Sequence, residues 1–290
     1  MNTTARGDGF AVTFHGVRGS TPCHAPELVR YGGNTSCVSL DIEGADPILF
    51  DLGTGLRYFG NTLVPGARFV GTCLLSHLHW DHIQGLPFFA PLLQEGSDVT
   101  MYGPRQEGDA TLASVFADTI CPPLFPVELA MLPGDIDFVD CWESSFQVTT
   151  TSTLVDIMSR PIPHVGNTLG YRVSAHGRSV AYLSDHQMPV DGTPAMSPGA
   201  RELCAGADLI IHAAQYTPSE FALKSNWGHC TIEFAVWVAA ESGAKRLALF
   251  HHDPSHDDDT LDRLAAEAAE CGREFGVEVF AAREGHTIEV

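Results

Sequence analysis

Four side chains that can bind metal ions lie within a segment of only six residues. They are His77, His79, Asp81 and His82. His77 and His79 are two residues apart, so both side chains lie on one face if the backbone is extended. One metal centre cannot easily take all four ligands from so short a segment, and the spacing therefore favours two centres. Imidazole and carboxylate ligands together suit zinc, with iron or manganese as substitutes.

The rest of the chain has the pattern of a layered α/β protein. Alternating or continuous apolar runs predict strands over residues 10–15, 37–42, 47–51, 72–75, 99–102, 147–151, 170–173, 179–183, 208–211, 246–250 and 277–281. Helices are predicted over residues 109–119 and 231–242, and from a cap at Asp259 or Thr260 to about residue 272. Neither a linker nor a low-complexity segment interrupts the chain. Because sandwiches of sheets often reach 290 residues, residues 1–290 are interpreted as one domain.

Composition narrows the expected partners. Hydrophobic residues make up 44% of the chain, which is enough for a sizeable core. The formal net charge is −20, from 16 basic and 36 acidic residues, and such a surface repels nucleic acid. A small anionic substrate is still compatible with this charge, because a bound metal pair can invert the local sign inside a pocket. The expected partner is therefore a small molecule rather than a nucleic acid.

The cysteines and the N-terminus predict a soluble, cytoplasmic protein. The eight cysteines are scattered, and none forms a Cys-x-x-Cys pair, so reduced and mostly buried thiols are expected rather than a disulfide framework. The first nine residues contain no apolar signal-peptide core. No run approaches the roughly 18 apolar residues that would span a bilayer, and no membrane association is expected.

The segment Ser-His-Leu-His-Trp-Asp-His at residues 76–82 resembles the His-x-His-x-Asp-His signature of the metallo-β-lactamase fold. This resemblance implies an αββα sandwich of two mixed β-sheets flanked by helices, with two divalent metal ions in a cleft at one sheet edge. Zinc is the first expectation for these ions. Three later segments resemble the remaining ligand motifs of that family: Pro163-His164 before Gly170-Tyr171, Tyr182-Leu183-Ser184-Asp185 and Leu249-Phe250-His251-His252-Asp253-Pro254.

The resemblance also implies a ligand set. One metal ion would be held by His77, His79 and His164, the other by Asp81, His82 and His251, and Asp185 would bridge them. The choice between His251 and His252 is open. A ligand should follow the last apolar pair of its strand, which favours His251 and leaves His252 as a support behind it.

Further segments resemble bacterial metal-dependent phosphodiesterases related to tRNase Z, including enzymes assigned to cyclic nucleotides. The resemblance runs from about residue 10 to residue 262. Gly-His-Cys-Thr around His229 is similar to the Gly-His-Ser-Thr motif of that branch, whose histidine faces the phosphate. Cys230 replaces serine here, which puts in doubt any substrate contact made by that hydroxyl. Ala213 follows His212 where relatives often have aspartate, so His212 is either a support for a ligand or a structural residue.

Two other residues have open roles. Asp51, before a Gly-Thr-Gly turn, is interpreted as structural support beneath the metal loop. Arg18 either reaches a phosphate or fixes its own loop, and the loop role is favoured. Relatives often dimerise, so a homodimer is one expected assembly. The apolar stretch 86–93 is a candidate for its interface, although a place in the core is the favoured interpretation.

These observations together predict hydrolysis of a small phosphodiester, with a 3′,5′-cyclic nucleotide as the first candidate. Asp81 would orient the attacking hydroxide, and His229 would donate to a phosphoryl oxygen or to the leaving oxygen. The alternatives are a tRNase Z-like RNA 3′-processing endonuclease, a lactone or ester hydrolase, and a non-catalytic diiron sensor. The negative charge and the lack of a basic, glycine-rich arm argue against the endonuclease.

Overall fold

The computed structural model describes residues 9–149 and 152–290. Their strands, in chain order, are β1 (Phe10–Gly16), β2 (Cys37–Ile42), β3 (Ile48–Phe50), β4 (Val70–Leu74), β5 (Asp98–Pro104), β6 (Asp135–Cys141), β7 (Ser144–Thr149), β8 (Leu154–Pro161), β9 (Leu169–Ala175), β10 (Arg178–Leu183), β11 (Leu209–Ala213), β12 (Arg246–Phe250), β13 (Glu278–Ala281) and β14 (Thr287–Glu289). They form two seven-stranded sheets, in the orders β14-β1-β2-β3-β4-β5-β6 and β13-β12-β11-β10-β9-β8-β7. Both sheets contain parallel and antiparallel pairs.

The α-helices are α1 (Gly55–Thr62), α2 (Trp80–Ile83), α3 (Leu112–Thr119), α4 (Pro198–Cys204), α5 (Pro218–Lys224), α6 (Ile232–Glu241) and α7 (Asp258–Glu274). Short 3-10 helices cover Pro26–Leu28, Leu86–Phe88, Ala90–Leu93 and Leu129–Met131. Helices α1 and α3 pack on the outer face of the first sheet. Helices α4, α6 and α7 pack on the outer face of the second. This arrangement confirms the expected αββα sandwich of two mixed sheets.

The alternation of side chains along each strand explains why the two sheets stack. Successive side chains point to opposite faces of a strand. In β10, Val180 and Tyr182 face the other sheet, whereas Ala181 and Leu183 face the helices. Phe50 of β3 stacks on Tyr182 across the sandwich, with ring centroids 4.5 Å apart. The central core therefore draws on both sheets, and each sheet has a second core beneath its helices.

Helix boundaries differ from the sequence prediction by a few residues. The helix predicted over residues 109–119 begins only after Thr111, whose side chain caps it by accepting from the backbone N–H of Ser114. Helix α7 is capped by Asp257, which accepts from the backbone N–H of Thr260. The predicted cap at Asp259 or Thr260 is therefore wrong. Several consecutive residues here can cap a helix, and their pattern alone does not single one out.

Some elements were not predicted from the sequence. Strand β6 contains the acidic residues Asp135, Asp137 and Asp140, which are poor strand formers. It is an edge strand of its sheet. Acidic residues are common on edge strands because they discourage pairing with other chains.

The strand predicted over residues 147–151 corresponds to the end of β7 as far as Thr149, and residues 150–151 lie outside the described residues. Residues 1–8, on which the signal-peptide prediction rests, lie outside them as well.

Among the described residues, none of the helices has both the length and the apolar character needed to cross a lipid bilayer.

Candidate metal centre

The side chains predicted to bind metal ions come together at one edge of the sandwich, where strands from both sheets end. His77 follows β4 of the first sheet, whereas Asp185 and His251 follow β10 and β12 of the second. His164 lies in the loop after β8. Neighbouring parallel strands end at the same edge of a sheet, which is where α/β folds gather functional loops. The sheet topology therefore unites residues that are far apart in sequence.

Ligand atoms at this edge form two clusters and a third group, Asp185 with His229 and His251, that overlaps them. The first, here called the open cluster, consists of His77, His79 and His164. The second, here called the closed cluster, consists of Asp81, His82 and His251. Within the closed cluster, and within the open cluster taken with Asp185, all ligand atoms lie within 4.8 Å of one another. Each set has the spacing and chemistry that can hold a divalent metal ion.

Asp185 lies between the two clusters, and its two carboxylate oxygens face different ones. Oδ2 is 3.8 Å from His77 Nε2 and 3.6 Å from His164 Nε2. Oδ1 is 3.1 Å from His82 Nε2 and 3.2 Å from His251 Nε2. One carboxylate therefore lies close to both clusters, with one oxygen facing each, which is the geometry that a bridging ligand requires.

A buried hydrogen-bond network holds His82. Its Nδ1 donates to Asp51 Oδ2 at 2.7 Å, so Nε2 is the ring nitrogen that faces the cluster. Asp51 also accepts from the Ser76 backbone N–H and hydroxyl, at 2.7 and 2.8 Å. Tyr182 donates to the same carboxylate at 2.7 Å. Asp51 is fully buried, so these contacts support the structural role predicted for it.

His251 and Asp81 are held from another side. The Nδ1 of His251 donates to Gln215 Oε1 at 2.9 Å, and the Gln215 amide donates to Ser20 Oγ at 3.3 Å. The backbone N–H of Ser20 donates to Asp81 Oδ2 at 2.8 Å. Each member of the closed cluster thus has a partner outside the cluster that fixes its orientation.

The open cluster has fewer supports and more exposure. His164 donates from Nδ1 to the Gly228 carbonyl at 2.6 Å, and His77 Nδ1 lies 3.0 Å from Ser76 Oγ. His79 is the one exposed member, and its Nδ1 lies 3.2 Å from His164 Nε2. Two imidazole nitrogens in such close contact suit a shared metal ion better than a bond to each other.

The protonation of His77 and Asp185 fits metal binding. Burial and the neighbouring imidazole of His82 hold the pKa of His77 well below its usual value, so His77 is neutral. Burial alone would raise the pKa of Asp185, but the imidazoles of His251 and His82 hold it well below its usual range. Neutral histidine and ionised carboxylate are the forms that bind metal ions. Burial alone would lower the pKa of His82, but the carboxylates of Asp81, Asp185 and Asp51 raise it well above its usual value, so a metal ion would have to displace a proton there. Among the described residues, His77 Nε2, His82 Nε2 and Asp185 Oδ1 are buried without a hydrogen-bond partner, which is the state expected of metal-ligand atoms.

His229 lies beside both clusters. Its Nδ1 is 3.6 Å from Asp185 Oδ2 and has no hydrogen-bond partner among the described residues. Its ring stacks on that of His251, with centroids 5.1 Å apart. Burial lowers the pKa of His229 to about 3, so the imidazole is neutral and keeps one N–H to donate.

Two residues with open roles point away from the clusters. His252 Nε2 donates to the Ala282 carbonyl at 2.9 Å, so His251 is the member of the pair that enters the site. Arg18 is fully buried and donates to the carbonyls of Gly32, Asp253 and His256 at 2.7–3.1 Å. Arg18 therefore ties two loops together, in agreement with the favoured role.

His212 and Cys230 lie beneath the site, beside helix α6. His212 Nε2 accepts from His186 Nδ1 at 2.8 Å, and both rings pack near Phe234. Cys230 is fully buried and donates to the Ala213 carbonyl at 3.1 Å. Among the described residues, neither of these side chains contacts a member of the two clusters.

Backbone strain concentrates at this site. Four non-glycine residues among those described have positive φ, and three of them belong to the site: Ser20 at 63°, Asp51 at 56° and His251 at 57°. Such conformations cost free energy and persist where the surroundings fix them, which is common at functional sites. At His251 the backbone has this conformation, and the rings of His251 and His252 point in opposite directions.

Sequence reasoning missed several supporting residues, namely Ser20, Gln215, Tyr182 and Gly228. Tyr182 and Gly228 lie in segments that were noted for a resemblance, but the role of all four residues depends on contacts across long separations. Gln215 and His251 are 36 residues apart, and Tyr182 and Asp51 are 131 residues apart. A single sequence carries no signal for such pairs.

Comparisons with known proteins agree with this geometry. Residues 47–252 match a family model described as "Beta-lactamase superfamily domain". The chain is 25% identical to ribonuclease Z of Natronomonas pharaonis, over 96% of this chain and 97% of that protein. YhfI of Bacillus subtilis, a metallo-β-lactamase fold protein, has a TM-score of 0.70 at 19% identity, covering 98% of this chain and 100% of that one. The short form of human tRNase Z has a TM-score of 0.64 at 23% identity, covering 97% and 99%.

Proposed function

This chain belongs to the metallo-β-lactamase superfamily and is a metal-dependent hydrolase, and from that premise we propose that it hydrolyses a small phosphodiester. A 3′,5′-cyclic nucleotide is the first candidate. The observation that carries the proposal is His229, a buried imidazole that lies beside Asp185 and His251 and that we place outside the proposed ligand set. A phosphate held at the clusters would lie within reach of this imidazole.

The proposed metal ligands follow the two clusters. One ion would be held by His77, His79 and His164, the other by Asp81, His82 and His251, with Asp185 shared between them. Each ion would have both imidazole and carboxylate ligands, and this mixture suits zinc, with manganese or iron as substitutes. When bound, such a pair lowers the pKa of a water molecule and neutralises phosphoryl oxygens.

The residues of the chain supply position and hydrogen bonds. Asp81 is held by the Ser20 backbone and by His251, so its carboxylate can orient the attacking water. His229 would donate its N–H to a phosphoryl oxygen or to the leaving oxygen, where charge develops in the transition state. The partly enclosed setting makes this hydrogen bond stronger than the same bond in bulk water.

A substrate panel tests the proposal. Zinc- and manganese-loaded protein would be incubated with bis(p-nitrophenyl) phosphate, cyclic nucleotides, precursor tRNA and a lactone. We expect turnover of bis(p-nitrophenyl) phosphate and of at least one cyclic nucleotide. Turnover of the lactone alone would contradict a phosphodiesterase. Tight metal binding without any hydrolysis would instead indicate a sensor.

The role of His229 has a separate test. His229→Ala should lower kcat about 10²-fold, because one transition-state hydrogen bond is lost, while the metal content stays at the wild-type level. His212→Ala removes another buried histidine that contacts neither cluster and serves as the matched control. Loss of metal from the His229 variant would show that this imidazole is a ligand.

RNA processing is the second candidate function, because relatives that match this chain include a ribonuclease Z. The net charge of −20 argues against it, since a long polyanion gains much of its affinity from basic side chains. Specific 3′ cleavage of precursor tRNA, with a KM far below that for any cyclic nucleotide, would favour this candidate over the first.

A further inference from the structure

A cavity of about 530 Å³ is lined by Ser20 and Trp80, both of which adjoin Asp81 of the closed cluster. Its volume falls within the range of pockets that hold small organic ligands. We call it the aromatic pocket, after the side chains that dominate its lining: Trp80, Phe88, Phe116 and Phe125. Residues 86–93 therefore contribute to a pocket wall at Phe88, a role beyond the core or interface considered for this stretch.

The aromatic pocket is joined to the metal centre through the chain itself. Trp80 lines the pocket and stands between His79 and Asp81 in sequence. Ser20 also lines the pocket, and its backbone N–H donates to the Asp81 carboxylate at 2.8 Å. A molecule whose phosphate lies at the two clusters could therefore extend its other end into this pocket.

The chemistry of the lining selects a neutral, planar group. Among the described residues, no lysine, arginine, histidine or carboxylate lines the pocket, so a second charged group would be unpaired there. Phe88 and Phe125 meet edge to face, with centroids 5.9 Å apart at 86°. Polar groups come from Gln84 and a few hydroxyls, which can hydrogen-bond to heteroatoms at the edge of a ring.

Exposure adds to this argument. The side chains of Trp80 and Phe88 are 58% and 59% exposed although both belong to one lining. Large aromatic surfaces that face solvent beside a functional site are typical of ligand-binding surfaces. Aromatic rings bind nucleobases by stacking, whatever the base.

We propose that the aromatic pocket binds the nucleobase of the phosphodiester substrate. This inference rests on the proposed phosphodiesterase function and sharpens it, because it selects nucleotides over cyclic phosphates that have a sugar but no base. The base belongs either to a free cyclic nucleotide or to an unpaired end of RNA, and these two sources share the same recognition chemistry.

The kinetic test compares Phe88→Ala with Phe275→Ala. Phe275 is the matched control, because it has the same exposure of 59% and lies outside the pocket lining. Phe88→Ala should raise KM for a cyclic nucleotide about tenfold, the effect of losing one stacking partner, and change kcat less than twofold. KM for the matching cyclic ribose phosphate without a base should stay unchanged, and Phe275→Ala should behave as wild type. A short single-stranded RNA, as the third substrate, shows which source of base responds to the variant.

A binding test keeps the inference separate from the activity. Adenosine, which has no phosphodiester to hydrolyse, would be titrated into metal-loaded protein while tryptophan fluorescence is recorded. We expect quenching with half-saturation at about 1 mM or below, absent in Trp80→Phe and weakened in Phe88→Ala. If no phosphodiester is hydrolysed but adenosine still quenches Trp80, the proposed function fails and the base pocket stands.

Two results would overturn the base pocket itself. One is an equal effect of Phe88→Ala on substrates with and without a base, together with no quenching by adenosine. The other is a shift from dimer to monomer in sedimentation for Phe88→Ala with unchanged KM, which would make this surface a contact between two copies of the chain.

Discussion

The two clusters on either side of Asp185 contain similar side chains but are held in different ways. In the closed cluster, His82 and His251 are fully buried, and each donates to a buried side chain, Asp51 or Gln215. In the open cluster, His164 depends on one backbone carbonyl, that of Gly228, and His79 is exposed. The difference indicates a rigid site beside an accessible one, and the accessible one is where solvent and substrate can enter.

Preorganisation explains why this difference matters. Supports that fix the orientation of a ligand typically change metal affinity 10–100-fold when they are removed. A cluster with several such supports should bind its ion more tightly and respond strongly to their loss. The proposed tighter site is therefore the closed cluster, and the following variants test this comparison from the largest expected effect to the smallest.

Asp185→Asn should weaken both clusters, so that the difference in metal affinity between them disappears. Its carboxylate faces four histidines of both clusters, so we expect metal content to fall at both sites and kcat to drop roughly 10³-fold or more, since the metal pair supplies several kcal/mol of transition-state stabilisation. Metal analysis and turnover of bis(p-nitrophenyl) phosphate measure the two effects.

The control for that variant is Asp208→Asn. Asp208 is a buried carboxylate at the opposite end of β10 and β11, where it accepts from the Ser179 backbone N–H at 2.8 Å. Metal content should stay at the wild-type level in this control. Full metal content in Asp185→Asn would rule out the bridging role.

Asp51→Asn should weaken the closed cluster selectively. The variant keeps the shape of the side chain but removes the charge that His82 and Tyr182 bind. We expect the affinity of one metal site to fall about 10–100-fold, measured by chelator competition, while the other site changes less. An equal loss at both sites would mean that Asp51 supports the whole edge of the sandwich rather than one cluster.

Gly228→Ala should weaken the open cluster. Gly228 has a φ of 96°, and a Cβ atom there would lie 2.5 Å from Nδ1 and Cε1 of His164, so the imidazole must move. We expect about tenfold weaker binding at one metal site, in calorimetric titration with zinc. Gly166→Ala is the matched control, because Gly166 has a φ of 82° with open space around it. If both variants behave alike, backbone strain rather than displacement of His164 is the cause.

Cys230→Ser should have the smallest effect. The Cys230 side chain is buried and donates to the Ala213 carbonyl, and a serine hydroxyl can make the same hydrogen bond. Metal content should be unchanged, and kcat and KM should stay within about twofold, since no substrate contact is gained. A large change in KM would place this side chain in the substrate site after all.

The fold was largely predictable because its signals are local. Most of the strands were visible as apolar runs, and the confirmed sandwich agrees with them and with the family resemblance. The prediction failed where a residue has a weak local preference, as with the acidic edge strand β6, or where several residues could cap one helix, as at Asp257. In those places the neighbouring strand or helix decides the outcome.

In the candidate site, too, the residues that could be predicted are those with a local signal. His77, His79, Asp81 and His82 were identifiable because they are adjacent in sequence and need one local bend. The sequence left open whether His251 or His252 is the ligand, since both follow the same strand. The left-handed backbone at His251, with a φ of 57°, accompanies the entry of the first ring into the site, while the second donates to the Ala282 carbonyl.

By itself, the sequence determined a layered α/β protein with a dense ligand motif, because both signals depend on neighbouring residues. The αββα sandwich followed from the resemblance of that motif, at residues 76–82, to the metallo-β-lactamase signature. Only the tertiary structure decided how the two clusters differ, and that an aromatic pocket adjoins one of them. The partners that create these features, such as Tyr182 for Asp51 and Gln215 for His251, are brought together by the stacking of two sheets. Packing of this kind depends on the shapes and distances of side chains in three dimensions, which their order along the chain does not contain.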